Sequence, residues 1–362
     1  MKRIIFTVTN DLNYDQRMIR ICNSLQQAGY DVTLIGTKFG SSLPTNGQNF
    51  NQQRIFCLLK KGFGFYAEYN VKLFFKLLFM KCDAICCIDL DTMIPVYFSG
   101  KLKNIKLVYD AHEYFSELKE VATRKNIHKF WHFIEQTFVP KFKNGYTVSW
   151  SIANIFMQKY NVEYQTIMNV TVLESNSKKT FSNNKILYQG SVNEARGLEF
   201  LIPAMKNVEG ILDIYGDGNY IKQTKRLIKQ HNLEEKVFLK GKLAPTELNK
   251  ITSDYFIGIN LVESIGLNQY YSLANKFFDY IHAEIPQITM NFPEYKIINN
   301  ETEIAICIDN LNPQTISDAI NNLLNDKIKY QTLKLNCMNA KFKYNWQNEE
   351  KKLIAFYKSI FG

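Results

Sequence analysis

The chain has 362 residues, a length natural for two domains of about 150–180 residues rather than one. Its 46% hydrophobic and 22% charged residues are the balance of a water-soluble globular protein, and no apolar run approaches the roughly 20 residues a bilayer crossing needs. The net charge of +10 leaves nucleic acid, an anionic membrane surface and a phosphorylated substrate open, but the lysines are dispersed rather than gathered in one tail, which favours the last two.

The opening MKRIIFTVTNDLN reads as a first buried strand rather than a secretion signal, so a cytoplasmic location is expected. Seven cysteines, an odd number with Cys86 and Cys87 adjacent in an apolar run, fit reduced core thiols. Residues 3–8 (RIIFTV) form a strand, the spacing of Met18, Ile21, Cys22 and Leu25 predicts a helix ending at Gly29, and 31–36 (DVTLIG) give a second strand. In such doubly wound arrangements ligands collect beyond the carboxyl ends of the strands. The loop after the first strand therefore offers Asn10, Asp11 and Arg17 as donor or acceptor contacts.

A strand over 54–60, a helix over 66–81 and a strand over 84–90 follow. Asp89-Leu90-Asp91 spells an Asp-x-Asp triplet, but strand ends expose carboxylates anyway, and no metal is expected there. The next strand runs into Asp110, His112 and Glu113, a histidine bracketed by carboxylates where a ligand would sit. Residues 127–142 set aromatics along a helix beside Lys129, Lys141 and Lys143, either a core stripe or a membrane-facing amphipathic surface.

The polar stretch Glu174–Asn184 breaks the periodicity and marks a boundary. The domains expected are 1–170 and 171–346, with the last helix, about 347–362, packing back on the first. In the second half, strands at 185–190, 210–216, 236–241, 255–262 and 285–290 alternate with helices, again an α/β pattern with a mainly parallel sheet. Three of its turns matter. Arg196 stands just ahead of a helix start, where it can pair with a diphosphate. Gly216 and Gly218 permit a tight turn and close ligand approach. In 270–286 a polar lead-in precedes a helix with Lys276 and Asp279 on one face, an arrangement suited to a phosphate and a sugar hydroxyl pair.

The ordered set GSVNEARGLEFLIPAM, IYGDGNY, VFLKGKLAPTEL, DYFIGINLVE and SLANKFFDYIHAEIP resembles the nucleotide-binding domain of GT-B glycosyltransferases of the large retaining family four. NDLNYDQRMIRICNSLQQAGYDVTLIG and VYDAHEYFSE resemble the acceptor-side domain of its bacterial surface-polysaccharide members. The resemblance implies two Rossmann-like doubly wound domains facing across a cleft. It implies that Arg196, Lys276, Ser272 and Leu273 bind the donor diphosphate, that Asp279 holds the ribose, and that His112 and Glu263 lie at the reacting centre. Gly190, Gly216, Gly218, Tyr271, Glu113, Asn10 and Asp11 would make further donor or acceptor contacts. Three places depart from the family pattern: Ser191 stands where a second base is usual, Tyr271 lies seven residues before Asp279 where a glutamate is usual, and TNDLN replaces a glycine-rich turn.

The activity implied is retaining transfer from a UDP- or GDP-sugar to a glycan or lipid-linked acceptor in surface polysaccharide synthesis. It needs neither metal nor cofactor, involves no nucleic acid, and would take place on the inner face of the cell membrane. A same-fold epimerase or phosphorylase and a non-catalytic nucleotide-sugar-binding protein are the alternatives.

Overall fold

Apolar runs rich in Ile, Val, Tyr and Cys alternate along the chain with helical patterns, and each such run becomes a buried strand pairing in parallel with its neighbours. The computed structural model describes residues 1–362 except 13–14, 41, 43, 45–46 and 175–183. Two units result, Met1–Met168 together with Glu349–Gly362, and Asn169–Asn348. Most of the polar stretch expected to mark the boundary, 175–183, lies outside the described residues.

In the first unit the elements run β1 (Arg3–Thr7), α1 (Gln16–Gln27), β2 (Asp31–Lys38), β3 (Asn51–Phe56), α2 (Gly62–Phe79), β4 (Ala84–Ile88), α3 (Met93–Lys103), β5 (Lys106–Ala111), α4 (Lys119–Ala122), α5 (Lys125–Phe138), β6 (Asn144–Thr147), α6 (Trp150–Tyr160) and β7 (Gln165–Thr166). The sheet order is β3-β2-β1-β4-β5-β6-β7, every pairing parallel, so the strand order reverses between β1 and β4. In parallel sheets ligands gather at such a reversal.

The second unit has β8 (Lys185–Gln189), α7 (Leu198–Ala204), β9 (Ile211–Tyr215), α8 (Ile221–Gln230), β10 (Val237–Gly241), α9 (Pro245–Thr252), β11 (Ile257–Asn260), α10 (Leu267–Tyr271), α11 (Asn275–Ala283), β12 (Gln287–Met290), α12 (Pro293–Glu301), β13 (Ala305–Ile308), α13 (Pro313–Asn325) and α14 (Lys327–Lys343). Its parallel sheet, β10-β9-β8-β11-β12-β13, reverses between β8 and β11. It has one more strand, β13, than the sequence reading anticipated, and α14 is also additional. The weak amphipathicity of α14 keeps it from standing out in the periodicity.

The last helix, α15 (Trp346–Phe361), carries Tyr357 into the first unit, where its ring meets Phe6 at 6.0 Å and Tyr146 at 6.4 Å. No disulfide joins the seven cysteines among the described residues.

Candidate functional site

In the second unit the turns that follow β8, β9 and β11 are stitched together by their backbones. The N–H of Val192 donates to the carbonyl of Asp217, that of Tyr220 to Val192, and that of Glu263 to Ala195, at 2.9, 2.9 and 3.0 Å. The glycines make this approach possible. A Cβ on Gly216 would lie 1.8 Å from the carbonyl oxygen of Gly190, and one on Gly218 would lie 2.3 Å from that of Val192. Gly190 itself has φ +116°, a conformation side chains disfavour, and Lys276 Cε passes 3.6 Å from where its Cβ would be. Thus Gly190, Gly216, Gly218, Glu263 and Lys276 share one rim at the carboxyl end of the sheet.

Lys276 opens α11 and is the least compensated group on that rim. Its ammonium is buried without a hydrogen-bond partner and lies 3.8 Å above the ring of Tyr188. Burial pushes the Lys276 ammonium well below the usual lysine range; the nearby positive Arg196 pushes the same way, and Asp279 opposes both. Arg196 is half-buried and makes no ion pair among the described residues. Two basic groups, whose charged forms a bound anion would favour, are therefore held close together at a helix whose first N–H groups have no intrahelical acceptor and whose N-cap, Ala274, has no capping side chain. Such an arrangement is complementary to a dianion such as a diphosphate. Tyr295 fixes the entry to the helix, its hydroxyl accepting from the Ala274 N–H at 3.1 Å. Leu273 is buried, and Ser272 donates back to the Gln269 carbonyl at 3.4 Å.

Asp279 sits one turn further into α11. Thr171 Oγ1 donates to one of its oxygens at 2.7 Å and Gln189 Nε2 to the other at 3.0 Å. Thr171 and Gln189 thus orient this carboxylate, and Tyr188 cradles Lys276. The sequence reading missed all three, because a strand-end glutamine and tyrosine and a loop threonine carry no motif. Tyr271 ends α10 and packs edge-on against Tyr270 at 4.9 Å.

In the first unit the loops after β1, β4 and β5 meet beside the strand-order reversal. His112 keeps its side chain 37% exposed, with Nδ1 3.7 Å from Asp89 Oδ2, while Asp89 Oδ1 accepts from the Glu113 N–H at 3.0 Å. Burial lowers the His112 pKa, but the Asp89 contact outweighs it, and the imidazole ends above its ordinary value. Asp91 is bonded by the Thr9 hydroxyl. Both carboxylates of the Asp-x-Asp triplet therefore serve neighbouring protein groups.

One sequence expectation requires correction. Arg17, expected to touch substrate, is buried and forms a two-pronged pair with the equally buried Asp110 at 2.6 and 2.7 Å, because its place on α1 faces the sheet. Asp11 accepts from Arg54 at 2.9 Å and from the Ser42 hydroxyl, which ties the loop after β1 to its neighbours. Asn10 bonds Asp15, the N-cap of α1.

Comparison with known proteins agrees with this geometry. Residues 172–339 match the model of the family described as glycosyl transferases group 1. The two-sheet architecture matches that of GT-B glycosyltransferases. Together they show a GT-B fold whose second unit matches the group 1 glycosyl transferase model. Among solved structures, HepE from Anabaena, crystallised with UDP and glucose, superposes with a TM-score of 0.77 at 11% identity, over 99% of this chain and 100% of that one. Sucrose-phosphate synthase from Thermosynechococcus elongatus gives 0.78 at 14% identity over 100% and 99%. WaaG, a glycosyltransferase involved in lipopolysaccharide biosynthesis, gives 0.74 at 12% over 97% and 98%. No curated protein matches the sequence. At these identities the structural likeness carries the fold, and the chemistry has to be argued from the site.

Proposed function

We propose that the chain transfers a sugar from a nucleoside-diphosphate sugar, UDP- or GDP-linked, to a glycan or lipid-linked acceptor in surface polysaccharide synthesis, with retention at the anomeric carbon. The observation that carries this reading is the buried, partnerless ammonium of Lys276 beside Arg196 at the start of α11. The relative crystallised with UDP and the one involved in lipopolysaccharide biosynthesis support the donor and acceptor classes.

When the bond between the sugar and the diphosphate breaks, negative charge grows on the leaving group. Arg196, Lys276 and the N–H groups of α11 stabilise that charge, each preorganised contact being worth about 2–4 kcal/mol in the transition state. These cations supply positive charge that a divalent ion would otherwise bring, which is the basis for assigning a metal-independent reaction. Asp279, oriented by Thr171 and Gln189, holds the ribose hydroxyls. Glu263 holds sugar hydroxyls, and His112 orients the donor sugar or the acceptor through its Nε2 edge, its Nδ1 being turned to Asp89. Front-face attack, with no covalent glycosyl intermediate, accounts for retention. The work is assigned to the inner face of the cell membrane; among the described residues no helix is long and apolar enough to cross it.

The test is a thermal-shift screen over UDP- and GDP-sugars. A ligand at a hundredfold excess over its Kd adds about 2.7 kcal/mol of stability. The matching nucleotide should raise the melting temperature of the wild type but not of Arg196→Ala or Lys276→Ala; equal shifts in all three would overturn the donor site. NMR of the product anomer with an acceptor present separates retention from inversion. Transfer or donor hydrolysis excludes a binding protein, the reading that Tyr271 in place of a glutamate favours.

A further inference from the structure

Solvent-facing helix rows are ordinarily polar, but in the first unit α2 departs from this. It buries Phe65, Tyr69, Leu73 and Leu77 at four-residue spacing. The opposite row, Phe63, Ala67, Val71, Phe75 and Phe79, repeats at the same spacing and faces solvent, with Phe63, Phe75 and Phe79 exposed to 70%, 56% and 87%. At 1.5 Å per residue this apolar line is about 24 Å long. Helix α3 lies alongside and adds Phe98 and Leu102, and α5 joins through an edge contact of Phe63 with Phe130 at 5.5 Å. The sequence left the 127–142 helix open between a core stripe and a membrane-facing surface; there Trp131, Ile134 and Phe138 turn into the core while Phe130 and Phe133 stay exposed. The larger apolar surface is on α2.

The charges around this row are mainly positive. Along α2 and α3 stand Lys72, Lys76, Lys101 and Lys103 against a single carboxylate, Glu68. Glu68 is occupied: its oxygens accept from the N–H groups of Leu58 and Leu59, both at 2.9 Å, and from Lys72. A second copy of the chain meeting this face two-fold would set lysines against lysines. A surface that is apolar below and anionic at its boundary matches both features, because aromatic rings settle at the headgroup level while ammonium groups meet phosphates.

We propose that α2, with α3 and the exposed rings of α5, docks the chain on an anionic lipid bilayer. This deepens the reading of an acceptor at the membrane by naming the surface that meets it, and it uses no residue of the donor site.

The experiment is co-sedimentation of the full chain with phosphatidylcholine vesicles and with vesicles of equal parts phosphatidylcholine and phosphatidylglycerol. Binding is expected to the anionic vesicles at low salt, fading as salt rises. The double variant Phe75→Ser, Phe79→Ser should bind at least roughly tenfold more weakly. The pair Lys76→Gln, Lys101→Gln should lose about fivefold or more. Unchanged circular dichroism and melting temperature confirm that both variants fold. The proposal is overturned if the wild type ignores anionic vesicles, if the phenylalanine variant binds them as well as the wild type, or if sedimentation velocity reveals a dimer that this variant dissociates. A negative nucleotide screen would sink the donor-site reading while leaving the vesicle result to be judged separately.

Discussion

Asp89 ends β4 with φ +54°, a backbone conformation that residues other than glycine seldom adopt, and from there it reaches both the Glu113 N–H and the His112 ring. Two residues on, Asp91 accepts the Thr9 hydroxyl and has its pKa pushed up to about 7 from an ordinary 3.8. Burial is the main cause, the Thr9 bond opposes it and the charge of Asp89 adds to it. A carboxylate whose folded pKa is raised takes up a proton on folding, so its contribution to stability falls as pH rises between about 4 and 7 and is fully lost above that window. Melting temperatures of the wild type and Asp91→Asn at pH 5 and pH 8 test this. The wild type should lose stability relative to the variant at the higher pH; parallel profiles would mean that Asp91 titrates in the ordinary range. Of the residues involved, His112, Glu113 and the Asp-x-Asp triplet stood out in the sequence. That Asp89 would serve His112 did not, because the two follow different strands that only the β4–β5 pairing brings together.

The rim of the second unit is built by whole turns, and its fragility lies in their closeness. Gly216→Ala sets a methyl group 1.8 Å from the Gly190 carbonyl oxygen, forcing apart the turns after β8 and β9. Urea unfolding should show a loss of about 1–3 kcal/mol or more, and nucleotide stabilisation should weaken with it. Gly47→Ala, with no atom within 4 Å of the added carbon, is the control and should stay within about 0.5 kcal/mol of the wild type. The turns themselves were legible, since tight turns at the carboxyl ends of apolar runs require glycine and an anion at a helix start calls for a cation such as arginine. Tyr188, Gln189 and Thr171 were not. Each looks like an ordinary strand or loop residue until α11 lands on it.

The molecule consists of two units, and the final helix contributes to the first of them. Tyr357 is fully buried against Phe6 and Tyr146. Tyr357→Ala should cost the first unit about 3–5 kcal/mol. Calorimetry with and without the nucleotide can separate the units: the substitution is expected to lower the transition that the ligand leaves unmoved, whereas a shift in the ligand-stabilised transition would show that the units unfold together.

Local pattern by itself determined a good deal about this protein. It placed the alternating strands and helices, the parallel α/β class, and the turns with Arg196, Gly216, Gly218 and Lys276, because burial on both faces of a parallel sheet demands continuous apolar runs and tight turns demand glycine. Tertiary structure alone decided which charges are spent and which remain. Arg17 and Asp110 pair 93 positions apart and leave the surface together, while Lys276 is buried with nothing to bond. Both outcomes depend on strand order and helix facing, which bring distant positions into contact and which no stretch of sequence contains.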